Sequence, residues 1–212
     1  MALKLIISDF DGVIADSLNM YKEAYKQTFA HFGKATPFSN FKEWYNSEWE
    51  KNWTSSGFAH SEIPAVCEIF SRFINYDLVD PFKGMEEELS KLNSIGPVVI
   101  ASTTCSSIIN QFLQRTNLAA FVEEVYSPDG GSDKKGIISK AIDARSLSPQ
   151  ETLMIGDTPS DIKPANELGC LSIAVTYGWY NKENLLSTNP TYIVESVQDL
   201  FKAANLLSAN IK

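Results

Sequence analysis

The chain has 212 residues, 44% of them hydrophobic and 21% charged, which excludes a fibrous or disordered protein and suits one α/β domain with room for a small insertion. A net charge of −8 argues against general affinity for nucleic acid or anionic membrane, although a phosphate ligand stays open where a metal and a lysine reverse the local field. Three distant cysteines (Cys67, Cys105, Cys170), a start that lacks a signal-peptide pattern, and no apolar run near the ~20 residues of a membrane span give the expectation of a cytoplasmic protein without membrane contact.

Leu3 to Ser8 reads as a buried strand that delivers Asp9 and Asp11, followed by the turn former Gly12. Leu18, Tyr21, Tyr25, Phe29 and Phe32 fall at helical spacing, with Ser17 as the expected N-cap and Gly33 as the stop. From Lys34 to Pro81 the chain turns aromatic, with Trp44, Trp49 and Trp53 among several Phe and Tyr, while Val66, Ile69, Phe70, Phe73 and Ile74 repeat helically. This predicts a helical subdomain over 16–80, its aromatic residues packing as a core, inserted into a core domain formed by 1–15 and 81–212.

A βα alternation follows. Helix 84–94 leads to the strand Pro97–Ala101, which ends on Ser102-Thr103-Thr104. The helical face of Ile108, Ile109, Phe112 and Leu113 precedes a weaker strand, Val122–Tyr126, and a loop containing Asp129-Gly130-Gly131. Lys134 and Lys135 open a helix with Ile137, Ile138, Ala141 and Ile142 inward. The strand Leu153–Ile155 ends on Gly156-Asp157, with Asp161 four residues later. Pro164 either bends the next helix or starts its regular part as the first residue. Strands at Leu171–Thr176 and Tyr192–Val194 and a helix over 197–207 complete a Rossmann-like, doubly wound parallel α/β sheet.

In such a sheet the strand ends share one edge, so Asp9, Asp11, Ser102, Asp157 and a lysine converge on one crevice. Hard carboxylate oxygens suit Mg²⁺ that also meets a substrate phosphate. A hydroxyl and an ammonium suit the remaining phosphate oxygens. One carboxylate can attack phosphorus while a second exchanges protons with leaving group and water. The set fits phosphomonoester hydrolysis.

Asp9-Phe10-Asp11-Gly12-Val13-Ile14-Ala15-Asp16-Ser17, Ser102 after a strand, Gly156-Asp157-x-x-x-Asp161, and the tail from Val175 through Trp179 to Val194 resemble the haloacid dehalogenase superfamily. The likeness is to its phosphoglycolate-phosphatase-like members with a helical cap inserted after the first motif. It implies Asp9 as nucleophile, Asp11 as general acid/base, and Mg²⁺ on Asp9, the Asp11 carbonyl and Asp157. Phosphate contacts are expected from Gly12, Ser102, Thr103 and a lysine. Spacing to Ile137-Ile138 favours Lys135, with Lys134 as the alternative, and a direct metal role for Asp161 stays open. Thr103 departs from the asparagine usual after the second-motif hydroxyl.

The implied function is hydrolysis of a small phosphorylated metabolite by a monomer or homodimer. A sugar phosphomutase sharing these acids and a catalytically idle binding protein are the alternatives. Asp11 counts against the dehalogenase and phosphonatase branches.

Overall fold

Leu5, Ile6, Ile7 and Ser8 are buried without exception, the pattern of a strand covered on both faces. The computed structural model describes residues 2–128 and 133–210; Asp129, Gly130 and Gly131 of the expected loop lie outside them. Among the described residues six parallel strands, β1 (Leu5–Ser8), β2 (Val98–Ala101), β3 (Glu124–Tyr126), β4 (Thr152–Gly156), β5 (Leu171–Val175) and β6 (Tyr192–Val194), form one sheet in the order β3-β2-β1-β4-β5-β6. The helices are α1 (Leu18–His31), α2 (Phe41–Trp44), α3 (Glu50–Thr54), α4 (Ile63–Ser71), α5 (Met85–Leu92), α6 (Ser106–Arg115), α7 (Lys134–Asp143), α8 (Pro159–Leu168), α9 (Lys182–Leu186) and α10 (Leu200–Asn210). None of them is long and apolar enough to cross a membrane.

Two compact units result: Met1–Asp16 with Asp80–Lys212, and Ser17–Val79. In the first, alternation along the strands divides the core. Leu5, Ile7, Val99, Ala101 and Met154 point to the face of α7 and α8, where they pack with Ile137, Ile138, Ala141, Ile142 and Ala165. Helices α5 and α10 pack on each other, joined by the buried Glu88, which accepts from Lys91 Nζ at 2.8 Å and from the Phe201 amide at 3.0 Å. Strand β1 lies between β2 and β4, with Ser8 opposite both Ile100 and Ile155. The strand order reverses there, which is where open α/β sheets bind ligands.

The differences from expectation are local. Strand β1 begins at Leu5 because the Leu3 amide donates to Ser208 Oγ at 3.3 Å. Strand β3 is shortened because the Val122 amide turns back to Ala119 O. The Ser17 hydroxyl caps nothing, although the residue does precede α1. Helix α8 starts at Pro159, so Pro164 sits inside it and leaves Ser160 O without its helical donor.

The second unit is helical. Tyr25, Phe29, Phe41, Trp53, Phe58, Ile63 and Val66 form its buried core, with the Tyr25 and Trp53 rings 4.6 Å apart. Asn52 is buried among them with its amide satisfied, donating to Tyr25 Oη at 3.3 Å and Asn46 O at 2.8 Å and accepting from the Asn46 amide at 2.7 Å. Trp49 stands outside this core, 45% exposed. Helix α4 ends at Ser71, before Phe73 and Ile74, whose amides close turns onto Phe70 O and Ser71 O. Because Phe29 is fully buried, Phe29→Ala is expected to destabilise this unit by about 3–5 kcal/mol, read as a lower urea midpoint by far-UV circular dichroism.

Candidate active site

The site starts where β1 leaves the sheet. The Asp9 amide still donates to Ile155 O at 2.8 Å, so its position is a backbone property of the sheet. Its Oδ1 accepts from the Phe10 amide at 2.8 Å and from Lys134 Nζ at 2.9 Å. The chain then folds tightly on itself, with the amides of Ile14 and Ala15 both on Phe10 O at 2.9 Å and that of Gly12 on Ala15 O at 3.0 Å. Gly12 has φ +77°, and a Cβ there would stand 2.0 Å from Asp157 Oδ2. Only glycine serves both demands.

Asp157 follows β4 directly and is fully buried. Its Oδ2 accepts from the Trp179 amide at 2.7 Å, and its Oδ1 is a buried oxygen that no hydrogen bond satisfies among the described residues. A Cβ on Gly178 would approach Asp157 Oδ2 and Gly12 O, each to 2.4 Å. The loops after β1 and β5 therefore enclose this carboxylate with bare backbone. Asp161, at the third position of α8, is also buried. Its Oδ2 accepts from the Thr158 amide and hydroxyl at 3.1 and 2.7 Å, which caps the helix, and its Oδ1 lies 2.8 Å from Lys134 Nζ.

One carboxylate oxygen from each of Asp9, Asp157 and Asp161 falls within a group no wider than 4.8 Å. Burial raises the pKa of Asp9, the Asp161 charge adds to the rise, and Lys134 opposes both. Asp157 is raised well above the usual carboxylate range by burial and then by Asp161 and Asp9. Burial opposes the charge on Lys134, but Asp161 and Asp9 outweigh it and raise its pKa. Ionised together, three carboxylates against one ammonium would carry two unbalanced negative charges. Together with the unsatisfied Asp157 Oδ1, this all-oxygen set fits a divalent cation.

The other expected residues fall as follows. Ser102 is buried beyond β2, its amide donating to Tyr126 O at 3.1 Å. Asp11 is half-buried outside the buried triad, its Oδ2 accepting from Thr104 Oγ1 at 2.7 Å. Thr103 is exposed, and it is the next residue, Thr104, that reaches Asp11.

The placement of the lysines differs from the expectation. Lys135 is exposed and pairs with Glu167 at 2.7 Å, whereas Lys134 is buried against Asp9, Asp161 and Ala101 O. The helix itself carried the signal. Asp133 caps α7 by accepting from the Gly136 amide, which makes Lys134 the first helical residue, three, four and seven before the buried Ile137, Ile138 and Ala141. Lys135 lies about 100° round the helix from it. Thr104 and the Trp179 amide were missed because neither adjoins a charged motif in sequence.

Lys135→Ala is therefore expected to change stability by no more than about 0.5 kcal/mol. Lys134→Met strands buried carboxylates and is expected to cost about 3 kcal/mol or more. Urea unfolding without added divalent cation separates the two.

Residues 6–175 match the haloacid dehalogenase-like hydrolase family. Phosphoglycolate phosphatase of Synechococcus elongatus is 23% identical over 212 residues, spanning 97% of this chain and 99% of its own. The enzyme of that name from Vibrio parahaemolyticus is 23% identical, spanning 94% and 95%. The solved structure of a haloacid dehalogenase-like family hydrolase from Streptococcus pneumoniae superposes with a TM-score of 0.87 at 22% identity, covering 95% of this chain and 98% of that one. At that identity the structural likeness speaks to the fold. With the family match running from β1 through β5, the chain belongs to the haloacid dehalogenase-like hydrolases.

Proposed function

We propose that the protein is a Mg²⁺-dependent phosphatase that hydrolyses a small phosphorylated metabolite through an aspartyl phosphate on Asp9. The buried cluster of Asp9, Asp157 and Asp161 around Lys134 carries this reading. Asp9, Asp157 and the Asp11 carbonyl would hold the ion. Bound there, Mg²⁺ would supply charge neutralisation and orientation for the phosphoryl group.

The protein's own groups do the rest. The Asp9 carboxylate attacks phosphorus as the ester P–O bond breaks, while Asp11 gives its proton to the leaving alkoxide. Asp11, then a carboxylate, takes a proton from water as the water oxygen attacks phosphorus; the bond between phosphorus and the Asp9 oxygen breaks, Asp9 returns as a carboxylate and inorganic phosphate leaves. Lys134 and the Ser102 hydroxyl stabilise the equatorial oxygens where charge develops. Asp161 keeps Lys134 charged and aimed at Asp9. The helical unit acts as the cap that selects the substrate.

The near full-length relatives named phosphoglycolate phosphatase make 2-phosphoglycolate the first compound to assay. A panel of phosphorylated metabolites with Mg²⁺ is expected to release inorganic phosphate. Phosphate retained on a sugar bisphosphate overturns hydrolysis in favour of a mutase. Asp9→Asn is expected to reduce turnover to background with an unchanged circular dichroism spectrum, and EDTA to abolish it until Mg²⁺ is restored. Turnover surviving the substitution removes Asp9 as nucleophile. Ser102→Ala is expected to lower kcat on the order of 10²-fold.

A further inference from the structure

Strand β2 hands the chain to Ser102-Thr103-Thr104, and the last of these hydroxyls crosses to the loop after β1. Thr104 Oγ1 donates to Asp11 Oδ2 at 2.7 Å, between residues 93 apart in sequence. The Thr104 amide donates to Ser102 Oγ at 3.2 Å, which folds 102–104 into a serine turn. Ser102 is itself buried and fixed by its amide on Tyr126 O at 3.1 Å. The donor is therefore anchored to the sheet. The acceptor, Asp11, is half-buried, and the terminal torsion of an aspartate is broad, so a fixed donor on one oxygen bears on its rotation.

We infer that Thr104 is a positioning residue for Asp11, setting the rotation of its carboxyl group for proton transfer to the leaving oxygen. This rests on Asp11 being the general acid/base of the proposed reaction. In the step concerned a bond forms between an Asp9 oxygen and phosphorus and the ester P–O bond breaks. The Asp11 proton moves to the leaving alkoxide, so the alcohol departs neutral and Asp11 becomes a carboxylate. A hydrogen bond to an ionised acceptor is stronger than one to a neutral carboxyl. The Thr104 bond therefore strengthens as the proton leaves, an interaction that grows toward the transition state. Thr104 acts through Asp11 and needs no contact with substrate. The exposed Thr103 makes no such bond among the described residues.

The test compares kcat/KM for the best alkyl phosphate of the panel with that for para-nitrophenyl phosphate, whose phenolate leaves without a proton. Thr104→Val is expected to lose on the order of 10²-fold on the alkyl ester and far less on the aryl ester, with Thr104→Ser restoring the alkyl rate. Equal losses on both esters, no loss, or no rescue by serine overturns the inference. Should the valine variant fail to fold, judged by its thermal melt, Thr104→Ala is read by the same split. Asp11→Asn in the same assays separates the two levels. If it keeps alkyl turnover, the assignment of Asp11 fails and the inference with it. If it loses alkyl turnover while the Thr104 variants do not, the inference alone fails.

Discussion

A single buried ammonium group holds the site together. Lys134 Nζ lies 2.9 Å from Asp9 Oδ1, 2.8 Å from Asp161 Oδ1 and 2.9 Å from Ala101 O. It thereby ties the end of β1, the end of β2 and the first turn of α8. Buried without the carboxylates, a lysine would shed its proton; buried without the lysine, the carboxylates would not all ionise. Each stabilises the charge of the other, yet Asp9 and Asp157 are still held above the usual carboxylate range, and a divalent cation would let all three acids ionise together. The site is poised by an imbalance that the fold maintains.

The fold maintains it with backbone. Asp9 is placed by a sheet hydrogen bond to Ile155 O, and Asp157 accepts from the Trp179 amide at 2.7 Å. Glycines at 12 and 178 let main chain approach Asp157 to distances at which any Cβ would collide. Main-chain donors cost little entropy on ligand binding because they are already ordered. Asp11 and Thr104, both half-buried, sit outside the buried triad and are joined by a side-chain hydrogen bond of 2.7 Å. In the proposed reaction the backbone-held Asp9 is the nucleophile, and the Asp11 carboxyl serves two successive proton transfers.

The helical unit follows different physics. Its core is largely aromatic, and a buried, satisfied Asn52 fixes the loop at Asn46 among the rings. Such a unit gains its stability from ring packing. In the proposed reaction, chemistry belongs to the sheet edge and selectivity to this unit, and the two are built from unlike residues.

How much of this was legible depends on the range of the interaction. Short apolar runs at β1, β2, β4 and β5, alternating with helical periodicity, were enough for a doubly wound parallel sheet, because burial on both faces leaves a mark along a central strand. The Asp9-x-Asp11 and Gly156-Asp157-x-x-x-Asp161 spacings were legible too, since local turn and capping geometry uses adjacent residues. Details that depend on a distant partner were not. The Thr104 bond to Asp11, 93 residues away in sequence, and the Lys134 bonds to Asp9 and Asp161 are of that kind.

The sequence by itself determined which residue types lie near the sheet edge: two acids after β1, a hydroxyl after β2, a lysine pair opening α7, two acids after β4. Tertiary structure decided which of them meet. It turned Lys134 inward and Lys135 out to Glu167, drew Asp161 into the charge cluster, and gave Asp11 to Thr104 instead of the triad. The reason is geometric. One residue along a helix rotates a side chain by about 100°, and one residue along a turn moves a hydroxyl from solvent to a carboxylate. Such steps become consequential only once a partner from far along the chain stands opposite.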